Sequence, residues 1–216
     1  MRYKLAIFDL DGTILDTLDD LADAVNYALK EYGYPQRTLE EVRRFVGNGI
    51  RKLIERAVPA GLTEEDISKV HQTFSAFYQE HCADKTRPYK GILPLLERLR
   101  EAGCLTAVVS NKADVAVQPL CQQYYDGLFD FAVGEREGIR RKPAPDAVQE
   151  VLRRLRVDAG EAVYIGDSEV DIQTAANAGL DSIIVTWGFR DRAYPESQGG
   201  KRFVDRPEEI EEIVLF

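Results

Sequence analysis

The sequence predicts an α/β protein: a doubly wound, Rossmann-like parallel sheet with a helical insertion after its first strand. Short apolar runs recur along the chain and end at polar residues, as expected of strands buried on both faces of a parallel sheet. Amphipathic helical patterns alternate with these runs. A long block between the first run and Pro88 has helical patterns and no convincing strand.

The predicted strands are short and rich in Val, Ile, Leu and Ala. They cover residues 4–8, 105–109, 131–133, 162–165 and 182–185, with a last short strand at 202–204. Helices are predicted at 93–102, 146–155 and 171–178, a solvated acidic helix at 207–212, and helices of the insertion at 18–32, 39–46, 50–58 and 64–81. We expect a catalytic core of residues 1–15 and 85–216, a helical domain of 16–84, and an exposed loop around 195–200.

Composition limits the partners and the compartment. The chain has 216 residues, of which 44% are hydrophobic, so a sizeable core can form without disulfides. A net charge of −9 argues against nucleic acid or an anionic membrane as partner. Three widely spaced cysteines without a CxxC favour a reducing compartment. With no apolar segment of membrane-spanning length, we expect a cytoplasmic protein, a monomer or homodimer.

Four polar clusters follow the predicted elements. They are Asp9-Leu10-Asp11-Gly12-Thr13, Ser110-Asn111-Lys112, Lys142-Pro143 and Gly166-Asp167-Ser168-Glu169-Val170-Asp171. Since the carboxyl ends of parallel strands lie on one edge of a sheet, we expect these clusters to converge there.

The converged residue types suit phosphoryl transfer. Carboxylate oxygens are ligands for Mg²⁺, and lysine and hydroxyl groups bind phosphoryl oxygens. A carboxylate is also a competent nucleophile toward phosphorus, and a second carboxyl two residues later can act as general acid and base. Each cluster alone has a plainer interpretation, such as an Asp-Gly turn or a Ser168 helix cap. The four together, in order, favour a site.

In these clusters the chain resembles the haloacid dehalogenase superfamily. The match covers the DxDGT motif at Asp9, a serine after the next core strand at Ser110, the lysine at Lys142 and GDxxxD at Gly166. The resemblance extends over essentially the whole chain, and the helical insertion resembles the cap domain of that family. The second acid, Asp11, distinguishes phosphatases and phosphomutases from the dehalogenases.

The resemblance implies a role for each motif residue. Asp9 would be the nucleophile and Asp11 the general acid and base. The side chains of Asp9 and Asp167 and the backbone carbonyl of Asp11 would hold Mg²⁺. Ser110 and Lys142 would bind the phosphate, with Asn111 in support. Thr13 would brace the first loop. Asp171 would orient Lys142 or a metal-bound water.

Two further segments, residues 46–53 and 185–190, resemble phosphoglycolate phosphatases. In the first, Gly47 and Gly49 would let the cap approach the site, and Arg51 or Lys52 would meet a substrate carboxylate. An ordinary turn between helices, with a solvated basic face, is an equal interpretation.

The predicted function is therefore a Mg²⁺-dependent phosphatase that hydrolyses a small, anionic phosphate monoester of the phosphoglycolate type through an aspartyl phosphate. A pyrophosphatase and a β-phosphoglucomutase-type phosphotransferase of the same superfamily are alternatives. A non-catalytic phosphate-binding module is disfavoured, because binding alone does not require a nucleophile and an acid together.

Overall fold

The chain forms two structural units. The structure is a computed structural model that describes residues 1–47 and 49–216. One unit consists of Met1–Leu15 and Pro88–Phe216, and the other of Asp16–Arg87. The sequence places the insertion at 16–84, so the chain returns to the first unit three residues later than expected.

The strands of the described residues run in chain order as follows. They are β1 Leu5–Phe8, β2 Leu15–Asp16, β3 Arg87–Pro88, β4 Leu105–Ala113, β5 Phe131–Glu135, β6 Ala162–Gly166, β7 Asp181–Val185 and β8 Phe203–Val204. Six of them form one sheet in the order β5-β4-β1-β6-β7-β8, and β2 pairs with β3. Each pairing within the larger sheet is parallel. The prediction of a parallel α/β sheet is confirmed.

Strand β1 lies in the middle of this sheet. Its Leu5 pairs with Leu105 of β4 on one side and with Ala162 of β6 on the other. All four of its residues are buried, which explains why its sequence is continuously apolar rather than alternating. The residues that follow β1, β4 and β6 therefore begin at neighbouring positions on one edge of the sheet.

The helices divide between the two units. In the Asp16–Arg87 unit they are α1 Leu18–Glu31, α2 Leu39–Phe45, α3 Ile50–Ala57 and α4 Glu64–His81. In the sheet unit they are α5 Ile92–Glu101, α6 Asp114–Tyr125, α7 Asp146–Leu155, α8 Glu169–Ala178, α9 Ala193–Ser197 and α10 Pro207–Leu215. A 3-10 turn covers Ala159–Glu161.

The Asp16–Arg87 unit has its own apolar core. Leu29, Ile54 and Phe74 are fully buried in it. The carboxylate of Asp20, also buried, accepts the backbone N–H groups of Lys85 and Thr86. This contact fastens the start of α1 to the segment that leaves the unit.

Several elements differ from the sequence prediction. Helix α6 was not predicted: Pro119 lies inside it, and a proline in a helix interior usually signals a break. Residues 195–200 were expected to form a loop, yet α9 covers Ala193–Ser197 and buries Pro195. Helix α10 was expected to be solvated, but it buries Pro207, Ile210 and Val214. Its acidic residues therefore account only for its outer face.

Strand β4 also continues beyond its predicted end. After a register shift past Val109, Ala113 pairs with Glu135 of β5. Ser110, Asn111 and Lys112 therefore lie within the irregular end of β4 rather than in a loop after it. Among the described residues, no helix combines the length and apolar character needed to cross a lipid bilayer.

Candidate active site

The loop after β1 carries the first two acids. The backbone N–H of Asp9 donates to the carbonyl of Ile165 at 2.8 Å, which extends the pairing with β6 by one residue. Asp9 is only 9% exposed. Gly12 has a φ of +84°, and a Cβ there would lie 2.7 Å from Asp167 Oδ2. Only glycine suits both the turn and the close approach to Asp167.

Lys142 connects two of the carboxylates. Its Nζ lies 2.8 Å from Asp9 Oδ1 and 2.8 Å from Asp171 Oδ1, and it donates to the Tyr164 hydroxyl at 3.0 Å. Burial alone would lower the pKa of Lys142, but the charges of Asp171 and Asp9 outweigh it and hold that pKa well above its usual value. The two carboxylates thus favour the charged form of Lys142 next to Asp9.

Asn111 holds Lys142 through its backbone. Its Oδ1 accepts the N–H of Lys142 at 2.8 Å, and its Nδ2 donates to the carbonyl of Lys142 at 3.1 Å. Tyr164, fully buried on β6, donates its hydroxyl to the carbonyl of Val109 at 3.0 Å. The lysine is thus fixed at both its backbone and its ammonium group.

The end of β4 contributes a serine and a second lysine. Ser110 is buried, and its Oγ accepts the backbone N–H of Lys112 at 3.1 Å. Nζ of Lys112 lies 3.3 Å from Asp11 Oδ1. The sequence places Lys112 in a polar cluster but predicts no role for it, because its contact with Asp11 spans 101 positions of the chain.

Both carboxylate oxygens of Asp171 contact donors of the protein. Its Oδ1 contacts Lys142, and its Oδ2 accepts the backbone N–H and the hydroxyl of Ser168 at 3.1 and 2.7 Å. Gly166 makes room for it, since a Cβ at Gly166 would lie 2.2 Å from Asp171 Cγ. These contacts also cap the first turn of α8.

The segment after β7 positions Asp167. The N–H of Phe189 donates to Asp167 Oδ2 at 2.7 Å. A Cβ at Gly188 would lie 2.3 Å from Asp167 Cβ and 2.5 Å from the carbonyl oxygen of Gly12. Trp187 Nε1 donates to the carbonyl of Thr13 at 3.0 Å. The predicted bracing residue Thr13 is fully buried and is held through its backbone.

The buried carboxylates fit a metal ion. Asp9, Asp167 and Asp171 each offer an oxygen within 4.8 Å of the others. Burial raises the pKa of Asp9 to about 8, and the charges of Asp171 and Asp167 add to this effect against the attraction of Lys142. Burial, followed by the charge of Asp171, raises the pKa of Asp167 to about 7. A cluster so short of positive charge is stabilised by a divalent cation.

Two of the three carboxylates retain ligand capacity. Asp9 uses Oδ1 for Lys142, and Asp167 uses Oδ2 for Phe189. Within residues 1–47 and 49–216, their other oxygens accept no hydrogen bond, whereas Asp171 has both oxygens engaged. Asp9 and Asp167 are therefore the carboxylates best suited to hold the ion.

The predicted cap residues lie in the Asp16–Arg87 unit. Gly47 and Gly49 have positive φ values of 116° and 86°, and Asn48 between them lies outside the described residues. Arg51 donates to Glu55 and to Ser68 Oγ, both at 3.1 Å, and also pairs with Glu64. Lys52 contacts Glu55 at 2.6 Å, with its side chain 55% exposed. Arg51 is thus engaged by its own unit, and Lys52 is the more accessible cation.

Several contacts of the site, most of them through the backbone, are not predicted by the sequence. Gly188 and the N–H of Phe189 hold Asp167, and Tyr164 supports Lys142. The segment containing Gly188 and Phe189 stood out in the sequence only by its resemblance to phosphoglycolate phosphatases. Tyr164 lies inside a predicted strand, and the sequence does not indicate which groups its buried hydroxyl contacts.

Comparison with known proteins agrees with this geometry. A family model described as haloacid dehalogenase-like hydrolase matches residues 6–185. A phosphoglycolate phosphatase of Mannheimia succiniciproducens is 34% identical over 196 residues, covering 87% of this chain and 88% of that protein. An N-acetylmuramic acid 6-phosphate phosphatase of Pseudomonas aeruginosa is 31% identical over 216 residues, covering 99% and 96%.

A solved structure extends the similarity to the whole fold. It is the crystal structure of a candidate phosphoglycolate phosphatase from Lactobacillus delbrueckii subsp. bulgaricus. The TM-score is 0.95 at 42% sequence identity, covering 100% of this chain and 99% of the other. The motif residues, the parallel sheet that presents them and these relatives lead to one conclusion: the chain belongs to the haloacid dehalogenase-like hydrolases, and it groups with their phosphatases.

Proposed function

We propose that this protein is a Mg²⁺-dependent phosphatase that hydrolyses a small phosphate monoester of the phosphoglycolate type through an aspartyl phosphate on Asp9. One observation carries the proposal: the buried carboxylate of Asp9 contacts the Lys142 ammonium inside a cluster of three aspartates. This arrangement supplies a nucleophile, a cation for the phosphoryl group and ligands for a metal ion at one place.

Asp9 is the proposed nucleophile. One of its carboxylate oxygens forms a bond to phosphorus as the bond from phosphorus to the ester oxygen breaks. The contact with Lys142 restrains the carboxylate in one orientation, which lowers the entropic cost of attack. Mg²⁺, held by the carboxylates of Asp9 and Asp167 and the carbonyl of Asp11, would neutralise charge on the phosphoryl oxygens when bound.

Asp11 is the proposed general acid and base. Its side chain is 20% exposed, so substrate and water can reach it. It gives its proton to the departing ester oxygen and then takes a proton from the water whose oxygen attacks phosphorus. The bond from phosphorus to Asp9 breaks, which releases inorganic phosphate and restores both carboxyl groups to their starting states.

The remaining core residues are proposed to bind the phosphoryl group or to hold the residues that bind it. Ser110 and Lys142 are proposed to contact the phosphoryl oxygens, with Asn111 securing Lys142 from the backbone side. Asp171 orients Lys142, and Thr13 supports the first loop. The fixed positions of these groups favour the transition state, because they need no reorganisation during the reaction.

Substrate choice is proposed to lie in the Asp16–Arg87 unit. Gly47 and Gly49 would shape its turn, and Arg51 or Lys52 would meet a carboxylate of the substrate. The two relatives are named for phosphoglycolate and N-acetylmuramic acid 6-phosphate. Both compounds carry a carboxylate besides the phosphate. The first is our proposed substrate type, and the second is an alternative that the similarity over 99% of the chain supports.

The proposed compartment is a reducing cytoplasm, with a phosphorylated metabolite rather than nucleic acid or a membrane as partner. Burial raises the pKa of the Cys104 thiol to about 11 and that of the Cys121 thiol to about 12. Such thiols remain protonated and react slowly with disulfides. The net charge of −9 disfavours the other partners.

The test is phosphate release from a panel with Mg²⁺ and with a chelator. The panel holds phosphoglycolate, N-acetylmuramic acid 6-phosphate, pyrophosphate, glucose phosphates and 4-nitrophenyl phosphate. We expect release that requires Mg²⁺ and is strongest on a carboxylate-bearing monoester. In Asp9→Asn, kcat should fall by at least about 10⁴-fold, because the amide is a poor nucleophile.

The matched control is Asp158→Asn, an exposed aspartate before the 3-10 turn at Ala159–Glu161. It should keep wild-type turnover. Near-normal activity of Asp9→Asn would refute the assignment of the nucleophile. Transfer to a glucose phosphate, dependent on a sugar bisphosphate, would instead identify a phosphomutase.

A further inference from the structure

Lys112 is a buried cation to which the proposed reaction assigns no role. The residue is 6% exposed, and its Nζ lies 3.3 Å from Asp11 Oδ1. The Lys112 side chain is 4% exposed and that of Asp11 is 20% exposed. The ammonium therefore contacts Asp11 from the protein interior, while Asp11 itself remains open to substrate and water.

The backbone of Lys112 is fixed on several sides. Its N–H donates to Ser110 Oγ at 3.1 Å. A Cβ at Gly134 on β5 would lie 2.5 Å from the Lys112 carbonyl oxygen, so the two strands are in close contact there. Oδ1 of Asp114 accepts hydrogen bonds from the backbone N–H of Gly134 at 2.8 Å and from Gln118 Nε2 at 3.0 Å. The fold thus sets the position from which the lysine reaches Asp11.

We propose that Lys112 is a positioning residue that holds Asp11 through Oδ1, so that Oδ2 is the oxygen that exchanges the proton. This inference rests on the proposed function of Asp11 as general acid. In the part of the chain that the structure describes, Oδ2 of Asp11 accepts no hydrogen bond. A carboxyl group anchored at one oxygen rotates less, and its other oxygen is presented to the ester oxygen more often.

The consequence depends on the leaving group. As the bond from phosphorus to an alkyl ester oxygen breaks, that oxygen needs the proton from Asp11, since an alkoxide is a strong base. A nitrophenolate leaves as a stable anion and needs no proton. A variant that misplaces Asp11 should therefore harm alkyl phosphates far more than aryl phosphates.

The experiment compares kcat/KM of Lys112→Met with the wild type, using phosphoglycolate and 4-nitrophenyl phosphate at saturating Mg²⁺. This parameter covers the steps up to departure of the leaving group, so it excludes the shared hydrolysis of the phosphoenzyme. We expect a loss of about 10- to 100-fold on phosphoglycolate and less than about threefold on the aryl ester. An equal loss on both, as a merely structural role would give, overturns the inference.

A double variant shows whether Lys112 acts through Asp11. Once Asp11→Asn is present, adding Lys112→Met should cost less than about twofold on phosphoglycolate, because residues that act as a unit are not additive. The double variant also removes both members of the ion pair, so it leaves no unpaired charge to disturb folding. A full further loss would mean that Lys112 contacts the substrate itself, and would overturn the inference.

Measurements on the wild type distinguish failure of the proposed function from failure of the inference about Lys112. Absence of Mg²⁺-dependent release from both esters refutes the proposed function and this inference with it. Normal wild-type release with an unchanged substrate ratio in Lys112→Met refutes the inference alone. An exposed control, Lys201→Met, should leave both kcat/KM values at the wild-type level.

Discussion

The sheet unit buries two of its paired lysines, whereas three paired lysines of the Asp16–Arg87 unit are exposed. In the sheet unit, Lys112 and Lys142 have side chains only 4% exposed, and both contact aspartates. In the other unit, the paired Lys52, Lys69 and Lys85 have side chains that are 49% to 55% exposed. Buried ions are costly to desolvate, while exposed pairs contribute little to stability. Lysine charge is buried where the proposed chemistry needs it, and the exposed lysines of the Asp16–Arg87 unit can be exchanged at little cost to folding.

Among the lysine and glycine variants that test this contrast, the largest expected effect is that of Lys142→Met. It leaves Asp9 and Asp171 without their cation, so we expect the free energy of unfolding to fall by about 3–5 kcal/mol. Phosphate release should fall by at least about 10³-fold, because the orientation of Asp9 is lost with the phosphate-binding cation. Urea denaturation at pH 7.5 and phosphate release measure the two effects.

The matched control for that variant is Lys4→Met, which removes an exposed pair with Glu161 in the same unit. It should change neither stability nor activity measurably. If the two variants were equally stable, the contrast between buried and exposed charge would not hold for this protein.

An intermediate effect is expected of Gly188→Ala. The added Cβ overlaps Asp167 and the carbonyl of Gly12, so Asp167 must shift. We expect Mg²⁺ affinity to weaken about 10- to 100-fold, as for other changes in the residues that support a metal ligand. Titration calorimetry with Mg²⁺ measures it. Gly160→Ala is the control: among the described residues, none beyond its chain neighbours has an atom within 4 Å of the new Cβ, so it should bind Mg²⁺ as the wild type does.

The smallest effect is expected in the Asp16–Arg87 unit. Lys52→Gln should leave the unfolding midpoint nearly unchanged, because its ion pair with Glu55 is exposed. If Lys52 meets a substrate carboxylate, KM for phosphoglycolate should rise about 3- to 10-fold while kcat/KM for 4-nitrophenyl phosphate stays constant. Lys69→Gln, another exposed lysine of that unit, should leave both values unchanged. If KM for phosphoglycolate is also unchanged in Lys52→Gln, residues other than Lys52 determine specificity.

The fold was predictable where local sequence determines local structure. Helices α4 and α7 have the predicted limits of 64–81 and 146–155, because their apolar periodicity decides the assignment. Helix α6 escaped notice because its buried residues are mixed with Pro119 and several glutamines. The irregular end of β4 depends on pairing with β5, which no local pattern encodes.

The site was predictable as a set of residue types and less so as a set of contacts. Asp9, Asp11, Lys142 and Asp167 carry recognisable motifs. The contact of Lys112 with Asp11 and the N–H that Phe189 gives to Asp167 depend on tertiary folding and on backbone atoms. Exchange of Phe189 for any residue except proline would retain that donor, so the sequence carries little information about it.

The indole of Trp187 gives this site an optical consequence. Trp187 is the single tryptophan of the chain, and its Nε1–H is bonded to the carbonyl of Thr13, four residues after Asp9. Indole emission responds to hydrogen bonding and to nearby charge, and Tyr89 is its aromatic neighbour at 6.5 Å between ring centroids. The unlabelled protein therefore contains its own fluorophore, whose emission wavelength and quantum yield report on the loop that carries the nucleophile.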